Sequence, residues 1–292
     1  MTTLHPFEAV MSSFVRDESD GRYTLMVDEL WEGQPGNVFG GFLVAAVVRA
    51  AGLESTMTRP VSSSCQFLRP AVVGAPLDFA VVSLRRGRTS ELVRVSIAQA
   101  GKPVVEAQVR TALDGDGPEC AARTPPIAED PRELPSGWDT MRGQGIEPPR
   151  MSACWDTRFG ADGGGTDTGR DSAFWASLGD GMTFADPYIE ASRWALSLDS
   201  QAGAIIRRVG VAHSAEPLPW GFSNLDSLVH FHRARGSEWI LSENTVVAGG
   251  DGLVSVQSQV WSETGDLLAT AMSQVAFFPL RDNWSFAREA QA

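Results

Sequence analysis

Asp199 is the side chain in this sequence whose neighbours best equip it for chemistry. It ends Trp194-Ala195-Leu196-Ser197-Leu198-Asp199-Ser200, an otherwise apolar helical stretch. A lone carboxylate carried into apolar surroundings loses hydration, so its pKa climbs and it can act as a general base toward water. An Asp in such a place can equally face solvent or cap a neighbouring turn, and its local sequence does not choose. A second feature is Gly40-Gly41-Phe42, where an apolar run begins. Unpaired backbone N–H groups at a helix start polarise a ligand carbonyl, and glycine lets the ligand come close. The same pair also serves a tight helix start with no ligand at all.

Other chemistries find less support. No Gly-x-Ser-x-Gly elbow occurs, so an acyl-enzyme on serine is not indicated. His5, His213, His230 and His232 lack zincin spacing, and His230 with His232 reads as a structural pair on one strand face. No metal site is expected. Cys65, Cys120 and Cys154 are odd in number and unpaired in spacing, as in reduced intracellular thiols.

The elements that must hold Asp199 and the glycines are legible in outline. Tyr23 to Trp31 reads as a first strand. Phe42 to Ala51 is apolar around nearly its whole circumference, the mark of a helix buried on every side, with Gly52 placed to end it in a left-handed cap. Leu77 to Leu84, then Val93, Val95 and Ile97, then Val105, Ala107 and Val109 follow as antiparallel strands with one covered face. Residues 114–149 are rich in Pro, Gly and acid and read as a linker. Beyond it come Met151 to Phe159, a turn at Gly163-Gly164-Gly165, a strand Ala173 to Leu178 and a helical signal from Pro187 to Arg208. The last strands lie near Phe222 to Arg233, Trp239 to Val247, Leu253 to Trp261 and Leu267 to Phe278.

These two runs of elements look like one unit used twice. Gln66-Phe67-Leu68-Arg69 answers His230-Phe231-His232-Arg233, and Gly101 answers Gly265, each 164 positions on (231 − 67 and 265 − 101). The repeat falters after Gly252. The 164 offset points to Gln257, Gln259 and Trp261, whereas Val254, Val256 and Val260 form the apolar side. A register shift and a polar cavity wall both explain this.

Composition sets outer bounds. With 292 residues, 43% hydrophobic and 21% charged, the chain can bury two ordinary cores. A net charge of −12 argues against nucleic acid as a partner. The first residues lack the basic start and apolar run of a signal peptide, and no apolar run is long enough to cross a bilayer, so a cytoplasmic protein without membrane insertion is expected.

Asn37-Val38-Phe39-Gly40-Gly41 leading into the apolar helix, then Gln66-Phe67-Leu68-Arg69-Pro70, then Leu84-Arg85-Arg86-Gly87-Arg88 resemble the acyl-CoA thioesterase II family. Asn224-Leu225-Asp226-Ser227 to Phe231-His232-Arg233, Glu238-Trp239 and Gly265 to Ala269 extend the likeness, which spans roughly residues 23–281. The resemblance implies an α+β double hotdog, two tandem hotdog domains each with a long helix wrapped by an antiparallel β-sheet. On that reading residues 1–113 are the N-terminal hotdog, 114–149 the linker and 150–292 the C-terminal hotdog with a short tail.

It also implies a hydrolase acting on acyl-CoA without a cofactor, assembled as a homodimer or larger. In the family an Asp on the helix, a Thr two residues before a second Asp and a Gln on the last strand hold the attacking water. Asp199 matches the first, and Asn224, two before Asp226, stands at the Thr position. Counting from Gly265 puts Ser273 where the Gln is expected and Gln274 one place later, where a bulge would have to turn it inward. Gly40, Gly41 and Phe42 would bind the substrate carbonyl. Arg85, Arg86 and Arg88 either meet coenzyme A phosphates or form a solvated hairpin tip. The alternative is a non-catalytic acyl-thioester or acyl-CoA binding protein of the same fold. A hotdog dehydratase is disfavoured, because neither expected helix carries a histidine.

Overall fold

The computed structural model describes residues 4–18, 21–118, 129–160, 171–179, 182–208, 220–232 and 236–279. The expected turn at Gly163-Gly164-Gly165, together with His213 and Cys120, lies outside these residues. The first half comprises α1 (Pro6–Ser12), β1 (Val15–Arg16), β2 (Arg22–Met26), α2 (Gly40–Glu54), β3 (Arg59–Phe67), β4 (Pro76–Arg86), β5 (Ser90–Gln99) and β6 (Lys102–Ala112). The short helix α3 (Gly137–Gly143) lies within the stretch read as a linker. The second half comprises β7 (Asp156–Arg158), β8 (Ser172–Ser177), α4 (Pro187–Leu198), α5 (Ala202–Arg208), β9 (Trp220–Asn224), β10 (Asp226–Phe231), β11 (Ile240–Gly250), β12 (Leu253–Ser262) and β13 (Leu267–Pro279).

One antiparallel sheet runs through both halves in the order β1-β2-β4-β5-β6-β3-β10-β13-β12-β11-β8-β7, with β9 paired to the far end of β13. The halves join where β3 pairs β10, Leu228 opposite Ser64. Helices α2 and α4 lie antiparallel against each other inside the curve of the sheet. Small residues allow the close approach: a Cβ on Gly41 would stand 2.6 Å from the Leu196 carbonyl oxygen, and one on Gly52 would stand 2.4 Å from Cγ of Tyr188. Because α2 meets sheet on one side and α4 on the other, Phe42 through Val48 are all buried. This is the double hotdog the sequence implied.

The repeat is visible in register. Pro60 pairs Thr111 as Asn224 pairs Val275, at the 164 offset, and Gly101 and Gly265 hold left-handed turns at φ 74° and 84°. The middle strands correspond at 163 instead. Leu84 and Val247 are the bulged residues of β4 and β11, and Val93, Val95 and Ile97 are answered by Val256, Ser258 and Val260, all buried. A one-residue shift, with Gln257 left exposed outside, therefore resolves the discrepancy.

Three element boundaries differ from expectation. Gly52 does not cap α2: the helix continues to Glu54 and ends at Ser55, since Gly52 makes room for the Tyr188 ring. The first strand stops at Met26, and Glu29–Trp31 forms a 3-10 turn capped by Asp28. The helical signal from Pro187 to Arg208 breaks at Asp199, giving α4 and α5.

Candidate active site

Asp199 occupies the C-cap of α4, where unpaired helix carbonyls disfavour a negative charge. Its residue is only 8% exposed. Burial pushes its carboxyl up to about 7, against opposing hydrogen bonds from the Asn224 amide and the Gly41 backbone N–H. Asn224 Nδ2 donates to Asp199 Oδ1, while Oδ2 lies toward Gly40, 2.6 Å from where a Cβ there would sit. A side chain at 40 or 41 would collide with this carboxylate, so the glycines are required by its approach as well as by helix packing.

The site thus spans both halves. The N-terminus of α2, bearing positive partial charge, faces the C-terminus of α4, and β9 brings Asn224 alongside. Gln34, in the loop ahead of α2, donates through Nε2 to the Phe222 carbonyl at 3.1 Å and ties that loop to β9. Phe67, half-buried at the end of β3, stands 3.7 Å from the position of a Gly40 Cβ.

Backbone donors at the start of α2 are unequally committed. The Phe42 and Leu43 amides bond the Phe39 carbonyl, and the Gly41 amide bonds Asp199. The Gly40 N–H has no partner among the described residues. The Phe42 side chain turns to the core and stacks on Trp31 at 5.1 Å.

Ser273 and Gln274 separate cleanly. Ser273 is buried and faces the helices, where its Oγ accepts from Gln201 Nε2 at 2.8 Å. Gln274 belongs to the opposite face, and its Oε1 accepts from Ser255 at 3.0 Å. The register of β13 runs unbroken against β12 from Leu253 to Val260, so no bulge turns Gln274 inward. Gln201 itself, which sequence reasoning passed over, is 1% exposed and two residues beyond Asp199. No local sequence signal marks it, since a lone amide after a helix has many ordinary roles.

The opposite end of the helix pair carries different side chains. Ser55 is the C-cap matching Asp199, Pro60 matches Asn224 and Val109 matches Ser273. Tyr188, second residue of α4 as Gly41 is of α2, fills the space against Gly52 and donates to the Met57 carbonyl at 2.9 Å. Glu91, fully buried there, accepts from Ser55, Ser83, Arg86 and the Thr56 amide. Arg86 is therefore engaged at that end, about 20 Å along α2 from Gly40. Arg85 and Arg88 are exposed beside it. A shallow cleft opens at this end, between Pro60, Pro187, Trp194 and Phe231, away from Asp199.

Among the described residues no cluster of His, Cys, Asp or Glu could hold a metal. His230 and His232 are exposed, the latter within 3.0 Å of Thr270 Oγ1. Cys65 lies near Asp199, but burial pushes its thiol up to about 12, leaving it no nucleophile.

A protein-family model for the acyl-CoA thioesterase N-terminal domain matches residues 27–112, and one for the C-terminal domain matches residues 122–278. The chain belongs to the acyl-CoA thioesterase family. Its members are thioester hydrolases, and the membership implies acyl-CoA as the substrate class. Solved structures agree in fold. The tesB protein of Mycobacterium avium subs paratuberculosis superposes with a TM-score of 0.74 at 22% identity, over 95% of this chain and 100% of that one. Acyl-CoA thioesterase II TesB2 of Mycobacterium marinum gives 0.76 at 19%, over 95% and 100%. A hotdog protein of unknown function from Alicyclobacillus acidocaldarius gives 0.76 at 17%, over 96% and 100%. No curated protein sequence matches the chain. No described helix is long and apolar enough to cross a membrane.

Proposed function

We propose that this thioesterase hydrolyses acyl-CoA to free acid and coenzyme A through a water deprotonated by Asp199. The observation that supports the reading is a buried carboxylate, its pKa raised to about 7, beside the start of α2, where the Gly40 N–H has no partner among the described residues. A base whose pKa sits near the working pH combines availability with driving force. Asp199 Oδ2 takes the water proton, the water oxygen bonds the thioester carbon, and the Gly40 N–H donates to the developing oxyanion. Collapse breaks the C–S bond, and the proton passes from Asp199 to the thiolate of coenzyme A. Asn224 holds Oδ1 and so aims Oδ2, while Ser273 lines the wall behind. No cofactor takes part in these steps.

The test is coenzyme A release, followed with a thiol reagent across acyl chain lengths. Asp199→Ala should lower turnover by at least about two orders of magnitude, as loss of a general base does. Wild-type rates in that variant would remove Asp199 from the mechanism. A homodimer or larger assembly belongs to the same proposal and is checked by sedimentation.

A further inference from the structure

We propose that Gln201 is a further catalytic residue, its Oε1 accepting the second hydrogen of the water that Asp199 deprotonates. This rests on the hydrolytic reading of Asp199. Gln201 Nε2 commits both hydrogens, one to Ser273 Oγ at 2.8 Å and one to the Leu198 carbonyl at 3.2 Å. A carbonyl can only accept, so the amide cannot be flipped, and Oε1 is fixed on the side away from Leu198. That oxygen is fully buried and has no protein partner. A buried acceptor left unpaired is costly, and such atoms are rare unless something outside the chain fills the place.

The other end of the helix pair lacks these groups. There the C-cap of α2 is Ser55, and Pro60 and Val109 stand at the 164 offset from Asn224 and Ser273. Ser273 shares the inner strand face with Val275, which pairs Asn224, so the two contacts of the Asp199 corner and the Gln201 amide meet one short stretch of β13. A water held between Asp199 and Gln201 has its hydrogens pointed at both acceptors and a lone pair free for the thioester carbon.

Gln201→Met tests this with an apolar side chain of similar length. Turnover should fall about 10- to 100-fold, with KM for acyl-CoA within about threefold, because the lost contact acts on the attacking water and not on substrate binding. The variant loses the bonds to Ser273 and Leu198 and should melt lower, so the split of kcat against KM, which a merely structural amide would not produce, is the deciding readout. Gln201→Glu supplies a second readout and serves if the Met variant fails to fold. A second acid beside the water should move the acid limb of kcat/KM upward by about one pH unit. Wild-type turnover in Gln201→Met, or an unmoved pH profile in Gln201→Glu, overturns the assignment. Asp199→Asn is run alongside: if it is inactive while Gln201→Met is not, only the Gln201 proposal falls, and if it is fully active the hydrolytic reading of Asp199 falls first.

Discussion

Replacing Asp199 by Asn should make the protein more stable and nearly inactive at once. In the folded chain burial raises the carboxyl from 3.8 to about 7. Between those values the native state holds a proton that the unfolded chain has released, so stability declines as pH rises and levels off above about 7. A displacement of about 3 units corresponds to a ceiling of about 4 kcal/mol at pH 8. Relaxation and water penetration reduce this to roughly half, a gain of about 3 °C in melting temperature for a chain of this size. The amide of Asn is nearly the shape of the carboxyl and brings no desolvated charge, so this penalty vanishes. At pH 4 and below, the variant and wild type should melt together, because the native Asp is then protonated too. Coenzyme A release should drop at least about 100-fold at pH 8. The assay pairs thermal unfolding from pH 4 to 9 with the thiol-reagent rate. A melting difference that does not grow with pH would show that Asp199 is not desolvated, and a retained rate would show that it is not the base.

Further outcomes follow from the same geometry. Wild-type kcat/KM should rise with pH to a plateau with a midpoint near 7, set by deprotonation of Asp199; a profile flat from pH 5 to 9 contradicts this. Gly41→Ala should cost about 1–3 kcal/mol by overpacking against the Leu196 carbonyl and should depress turnover by shifting Asp199, read by calorimetry and rate. Glu91→Gln should destabilise by about 1–2 kcal/mol without touching turnover, since it weakens the charge-assisted bonds from Arg86 and Ser83 at the end of the helix pair away from Asp199. Burial opposes ionisation of Glu91, but bonds from Ser83, Arg86 and Thr56 outweigh it and hold its carboxyl below the ordinary value. Its contribution is therefore present above pH 4.5 and lost as pH falls through the lowered folded value, and acid titration of the variant should lack that loss. Gln274→Ala should keep turnover within about twofold, because that side chain bonds Ser255 on the far face.

Local pattern alone carried much of this. The twofold repeat, the wholly apolar α2, the alternating strands and the turn glycines at 101 and 265 are written in short-range periodicity, because burial on every side or on one face leaves a direct trace in residue type. Asp199 stood out as chemically able and Gly40-Gly41 as a place of close approach, while Asn224 came into view only through the family resemblance. Other questions depended on contacts that no local pattern encodes. Whether Ser273 or Gln274 turns inward is a matter of parity along β13, and parity follows from pairing with β12. Gly52 looked like a helix stop and became a seat for Tyr188, 136 positions later (188 − 52), through packing of one half on the other. Gln201 was silent because a lone amide after a helix has many ordinary roles; only its burial and its bonds to Ser273 and Leu198 gave it meaning. Residue chemistry named the candidate base, whereas the antiparallel crossing of α2 and α4 decided which groups stand beside the carboxylate, because only that packing brings the start of one helix against the end of the other.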